Sequence, residues 1–167
     1  RSIENPRVGL LSIGEEPGKG DTLRKAAHPL LAAAPGLNFI GNVEGRDVMS
    51  DDVDVCVTDG FTGNVVLKTL EGGMQAVIGA LLEAFAQPEY KEHADALMPA
   101  LLPLYETLNP DTYGGAVLLG VNGVCIIAHG SSSARAIENG INVARDLVEH
   151  DMVTEIRDAI AAAAPAD

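Results

Sequence analysis

Tryptophan is absent from this sequence, and tyrosine and phenylalanine occur three times each, so any core must be built from Val, Leu, Ile and Ala. Positive charge is also scarce. Eleven Lys and Arg stand against 24 Asp and Glu, a formal net charge of −13. Phosphate backbones are bound by clustered bases, so this balance excludes a general nucleic-acid surface. It also means that an anionic ligand must be held by a local cationic site. The two cysteines, Cys56 and Cys125, have no metal-ligand spacing, and each falls in an apolar strand-like run. Buried, reduced thiols are the expectation, which fits a cytoplasmic protein. No segment has a signal-peptide pattern, and no uninterrupted apolar run approaches the roughly 18 residues of a membrane span. The opening Arg1-Ser2-Ile3-Glu4-Asn5-Pro6 has no initiator Met and lies close to a strand, as expected of a cut inside a longer protein.

What remains is aliphatic and glycine-rich. With 167 residues, 47% of them hydrophobic, the chain can bury a real core. Its 18 glycines suit a fold with many strand-to-helix turns. Five runs read as strands: Val8–Ile13, Leu37–Val43, Val53–Thr58, Ala116–Leu119 and Val124–Ala128. Most are continuous rather than alternating, the pattern of parallel strands covered on both faces. Helical patterns lie between them. Asp21 or Thr22 can cap the first, in which Pro29 predicts a kink or break. The second spans Asn64–Ala86, Ser131 or Ser132 can cap another, and the last runs from about Asp151 to Ala164. Alternating strands and helices predict an α/β fold with a mostly parallel sheet. Residues 80–110 break the alternation and read as an apolar helical hairpin around Gln87-Pro88-Glu89. That divides the chain into core (1–79), hairpin (80–112) and core (113–167). The hairpin's surplus apolar groups suit a subunit contact, or a surface that meets a membrane or an acyl chain.

The most informative stretch is Val57-Thr58-Asp59-Gly60-Phe61-Thr62-Gly63-Asn64-Val65-Val66-Leu67-Lys68. A strand ends in a turn flanked by Gly60 and Gly63, which can free the backbone and admit a ligand. The turn opens on a helix whose N-terminus favours an anion. Asn64 adds an amide donor, and Lys68 lies one turn on along the same face. An ordinary turn, cap and solvated lysine read equally well. Gly14-Glu15-Glu16-Pro17-Gly18-Lys19-Gly20 also follows a strand. It fails as a P-loop, with three residues before Gly-Lys instead of four and Gly20 where a hydroxyl is needed. Lys19 is still a cation at a ligand-binding edge, although the loop alone favours an ordinary solvated lysine. Arg46 could fork onto a phosphate, although Glu44 and Asp47 beside it suggest internal pairing. His129 and Ser131 sit at a second glycine turn, where His129 is a proton carrier, an anion donor or simply a hydrogen-bonded core residue. No Ser-His-Asp order or paired carboxylates appear, which points to chemistry by positioning rather than by a protein nucleophile.

Four segments then occur in one family's order. They are Asn5-Pro6-Arg7-Val8-Gly9-Leu10-Leu11-Ser12-Ile13-Gly14-Glu15-Glu16, Asn38-Phe39-Ile40-Gly41-Asn42-Val43-Glu44-Gly45-Arg46-Asp47, Asp59-Gly60-Phe61-Thr62-Gly63-Asn64, and Tyr113-Gly114-Gly115 followed by His129-Gly130-Ser131-Ser132. Over about residues 5–150 the chain resembles the C-terminal half of the bacterial acyl-carrier-protein:phosphate acyltransferases (PlsX type). The resemblance implies a three-layer α/β/α fold like that of isopropylmalate dehydrogenases and phosphotransacetylases, working as a homodimer. It implies conversion of acyl-[acyl-carrier protein] and inorganic phosphate to acyl phosphate, with no metal or nucleotide cofactor. The implied partners are acyl-carrier protein, the inner face of the membrane and a downstream glycerol-phosphate acyltransferase. Lys19 and Asn64 become the expected catalytic pair, with Gly60, Gly63, Lys68, Arg46, His129 and Ser131 around phosphate. Asp59 would orient a donor or cap the turn. Three alternatives stay open: a phosphotransacetylase-like enzyme using acyl-CoA, a non-catalytic dimerising or membrane-docking module, and a nucleotide-binding protein.

Overall fold

The computed structural model describes residues 3–163, which form two compact units, one up to Leu70 and one from Glu71 on. The first is a parallel βαβ unit with a third strand added. β1 (Val8–Leu11) is buried at every position and lies between β2 (Phe39–Val43) and β3 (Val55–Val57), parallel to both. An all-apolar strand in the middle of the sheet explains why this run does not alternate. Arg7 donates from its backbone N–H to Asp54 Oδ2 at 2.7 Å, pinning the start of β1 to that of β3. With β2 and β3 on opposite sides of β1, the strand order reverses between β1 and β3. Open α/β sheets bind ligands at the carboxyl ends of strands at such a reversal.

α1 (Thr22–Ala33) begins where Asp21 Oδ1 accepts the Arg24 N–H at 2.9 Å. The helix does not break at Pro29, which lies inside it. A missing N–H leaves one carbonyl unpaired, and a helix already held at its cap can carry that loss. α2 runs from Gly60 to Phe85, four residues earlier than the expected start at Asn64. By length and composition, with mean hydropathy 1.4 over an 18-residue window, α2 could cross a membrane. A count of uninterrupted runs misses this because Lys68, Glu71 and Gln75 punctuate the helix. Length and hydropathy alone are weak evidence for a span, and the polar network at its first turn is that of a folded domain.

In the second unit, α3 (Lys91–Leu108) follows α2 after a short turn and carries Pro99 and Pro103. α2 and α3 together line an apolar pocket of about 350 Å³ that includes Met74, Leu81, Phe85, Met98, Leu101 and Tyr105. β4 (Ala116–Val117) and β5 (Ile126–Ile127) pair antiparallel, not parallel. Eight intervening residues are too few for a parallel crossover, so the chain can only turn back. Cys125 beside β5 is exposed rather than buried, because a two-stranded ribbon covers little, while Cys56 is half-buried. Both thiols are free, and burial pushes the Cys56 thiol up from its ordinary value.

α4 (Ala134–Glu149) is capped by Ser133, not by Ser131 or Ser132: Ser133 Oγ accepts the Ala136 N–H at 3.2 Å. Ser133 also donates to Asp111 Oδ2 at 2.6 Å, and Asn139 Nδ2 donates to the Asp111 carbonyl at 2.9 Å. These bonds dock α4 on a 3-10 turn, Pro110–Thr112. Gly114, at φ +75°, lies so close to α4 that a Cβ there would stand 2.2 Å from the Gly140 nitrogen. Only glycine fits both the backbone angle and the space. α5 (Met152–Ala163) closes the described chain.

Candidate functional site

The loops that leave the carboxyl ends of β1 and β3 make a polar site in the first unit. After β1 the chain passes through Ser12 and the Gly14–Gly20 loop before entering α1. After β3 it passes through Thr58 and Asp59 into α2. Asp59 is the N-cap of α2: its Oδ1 accepts the Thr62 N–H at 2.9 Å, and its carbonyl accepts the Gly63 N–H at 2.9 Å. The Gly63–Asn64 turn expected to offer free amides is therefore already helical. Helix geometry leaves the N–H groups of Gly60 and Phe61 without intrahelical acceptors, one turn earlier. Neither Gly60 nor Gly63 has positive φ, so conformational freedom is not their role. A Cβ on Gly60 would meet no atom within 4 Å, whereas one on Gly63 would stand 3.0 Å from the Thr58 methyl. Gly60 thus leaves open space over the helix end. Asn64 and Lys68 follow on one exposed face of α2.

The centre of the polar network is Arg24, whose side chain is only 12% exposed. Its guanidinium pairs with Asp21 at 2.7 Å and with Asp59, and it donates to Thr62 Oγ1 at 2.9 Å and to the Leu11 carbonyl at 3.3 Å. Hydrogen bonds from the Thr62 hydroxyl and N–H, followed by the Arg24 guanidinium, hold the Asp59 carboxyl far below its ordinary value. A depressed folded value adds stability at pH above the ordinary 3.8, and that stability is lost as pH falls toward the depressed value. A carboxylate held this acidic is a poor general base, and Asp59 acts instead as cap and partner.

Two open pockets flank the network, and Ile13 borders both. One, of about 320 Å³, is lined by Ser12, Gly20, Asp21, Arg24 and Thr62. The other, of about 410 Å³, brings Lys19 and Arg46 together with Glu15, Glu16 and Glu44. Arg46 meets Glu44 at 2.6 Å, Glu15 at 3.0 Å and Asp47 at 3.7 Å, so its charge is already balanced by carboxylates. Lys19 is exposed on the loop above that cluster. His129 and Ser131 lie in the second unit, in a loop of their own. Ser131 donates its N–H to His129 Nδ1 at 3.3 Å, and its Oγ lies 2.7 Å from the same nitrogen. Among the described residues, no group of three or more His, Cys, Asp or Glu is placed to hold a metal ion.

Arg24 was not singled out from the sequence, although a signal existed. An arginine in the first turn of a helix faces the positive end of the dipole and needs anionic partners there. Asp21 three residues earlier supplies one, and Asp59 could not be foreseen without the fold.

Residues 1–155 match the model of a family described as fatty acid synthesis protein. The chain belongs to that family. Within it, the phosphate acyltransferase of Geobacillus sp. (strain WCH70) is 46% identical over 161 residues, covering 96% of this chain and 49% of that protein. The phosphate acyltransferase of Desulfitobacterium hafniense is 50% identical over 157 residues, covering 93% and 47%. That of Streptococcus agalactiae (strain NEM316) is 44% identical over 161 residues, covering 95% and 49%. The chain spans about half the length of the curated relatives it matches. The match therefore runs over almost the whole of this chain and about half of each relative.

Proposed function

We propose that this chain is part of a phosphate acyltransferase that moves an acyl group from acyl-[acyl-carrier protein] to inorganic phosphate. The observation that carries the reading is the match of 93–96% of the chain to the proteins of that name just described. The chemistry suits the residues. A phosphate oxygen attacks the thioester carbonyl carbon, a tetrahedral oxyanion forms, and its collapse breaks the C–S bond. The carrier thiolate leaves and takes up a proton. Phosphate is itself the nucleophile, so the protein has to hold an anion, aim it and stabilise the oxyanion. Lys19 neutralises phosphate and the acyl phosphate product. Asn64 donates to the thioester oxygen, and the Gly60 and Phe61 N–H groups at the α2 start add anion donors. Lys68 and Arg46 hold secondary places around phosphate, Arg46 after release from its carboxylates. We place the chain in a three-layer α/β/α domain of a cytoplasmic homodimer, with acyl-carrier protein as donor.

A phosphotransacetylase-like enzyme taking acyl-CoA is the reading to separate. In a full-length protein carrying this chain, long-chain acyl-[acyl-carrier protein] is expected to yield acyl phosphate at least tenfold faster than the matching acyl-CoA. Equal or faster use of acyl-CoA would overturn the carrier-protein assignment.

For α2 and α3 we propose a subunit contact along the stems and weak membrane attachment near the connecting turn, on the inner membrane beside a glycerol-phosphate acyltransferase. Lys91 and His93 near that turn are opposed by Glu89, Glu92 and Asp95, so apolar insertion rather than charge should drive attachment. Leu97 is 53% exposed, whereas Leu101 lines the pocket between the two helices, which makes Leu97→Glu the cleaner probe. Flotation with anionic vesicles should fall severalfold in Leu97→Glu and change little between low and moderate salt. Loss of flotation at modest salt would show charge attraction instead, and no flotation by an intact dimer would leave only a subunit contact.

A further inference from the structure

We propose that Arg24 is a positioning residue: one guanidinium fixes the loop that carries Lys19 and the helix turn that leads to Asn64 in a common frame. The inference rests on the reading that Lys19 and Asn64 act on one substrate, and adds a residue to which the reading gave no part.

The geometry points there from three sides. Asp21 follows Lys19 and Gly20 directly and caps α1, and Arg24 pairs with it at 2.7 Å. Asp59 and Thr62 form the first turn of α2, and the Arg24 guanidinium is bonded to both, to Thr62 Oγ1 at 2.9 Å. The Leu11 carbonyl ends β1 and accepts from Arg24 Nε at 3.3 Å. The ends of β1, α1 and α2 thus converge on one planar group. A lysine ammonium cannot meet these partners at once, because it is a single point charge without the fork.

Gly20 makes the fit close. Its φ is +96°, and a Cβ there would stand 2.8 Å from Arg24 Cβ and 2.9 Å from Ser12 Oγ. The loop backbone therefore rests on the Arg24 stem with no room for a side chain. A shift of the guanidinium would be passed to Lys19 through Gly20 and to Asn64 through the α2 cap. Misplacement of a reacting group by about 1 Å can cost on the order of a hundredfold in rate.

The test is a double-mutant cycle in a full-length protein carrying this chain, with acyl phosphate formation as the readout. Arg24→Lys keeps the charge and loses the fork, and its kcat should fall by about tenfold to a hundredfold while KM for phosphate rises less than in Lys19→Ala. In a Lys19→Ala/Asn64→Ala background the same change should cost less than about threefold, because both groups being positioned are gone. Asp59→Asn, which keeps a cap but weakens the pair with Arg24, should lower kcat in the same direction and covers the case of an unfolded Arg24 variant. Unchanged kcat in both Arg24→Lys and Asp59→Asn, or fully additive losses in the cycle, would overturn the positioning role. If Lys19→Ala and Asn64→Ala retain wild-type turnover, the site reading falls and the inference with it. If those two lose activity while Arg24→Lys does not, the inference falls alone.

Discussion

Lys19→Ala and Asn64→Ala in a full-length protein carrying this chain are each expected to lower kcat for acyl phosphate formation about a hundredfold, with melting temperatures within about 2 °C of the parent. Loss of one oxyanion donor typically costs ~3 kcal/mol, which is a factor on the order of a hundred. Lys19 is exposed on its loop and Asn64 on the α2 surface, so neither truncation opens a cavity or strands a buried group. The expected pattern is therefore activity lost at constant stability. The two losses differ in kind. Removing Lys19 weakens the hold on a dianion and should also raise KM for phosphate, whereas Asn64 acts on the developing oxyanion and should leave that KM nearly unchanged. Parent-level turnover in either variant would return that residue to an ordinary surface role.

A larger effect is expected from length. Residues 1–167 alone should show no detectable turnover, while a protein of the relatives' length that contains them should make acyl phosphate. The relatives are about twice as long as the stretch they share with this chain. The polar loops of the first unit also form open pockets rather than an enclosed cleft, both of them bordered by exposed Ile13. An acyl transfer to phosphate has to keep water from the thioester, which an open site cannot do. Robust acyl phosphate synthesis by residues 1–167 would show that the site described here is complete.

How far the sequence could be read depended on whether the deciding interaction was local. The continuous apolar run Val8–Ile13 announced a buried parallel strand, of which Val8–Leu11 forms β1 while Ile13 lies beyond it, exposed. Asp21 announced the start of α1 by cap chemistry within four residues. The start of α2 was read one turn late because two glycines in a first turn look like loop, while the cap that overrules them is the side chain of Asp59. The β4–β5 runs were read only as part of a mostly parallel sheet, while their eight-residue connection already required an antiparallel pair. Arg46 was legible as an ion-paired residue from Glu44 and Asp47, and the structure adds Glu15 from another loop. Arg24 was not legible in the same way. Its partners at Leu11, Asp59 and Thr62 are distant in sequence, and only the return of β3 alongside β1 brings them to one point.

The most direct test of the central claim is product identity. A full-length protein carrying this chain is incubated with long-chain acyl-[acyl-carrier protein] and inorganic phosphate, and products are followed by phosphorus NMR beside a thiol assay. Acyl phosphate should appear in one-to-one proportion with released carrier thiol, and neither should form when phosphate is omitted. Thiol release that continues without phosphate and gives free fatty acid would contradict the claim, because it would make water rather than phosphate the nucleophile this site holds.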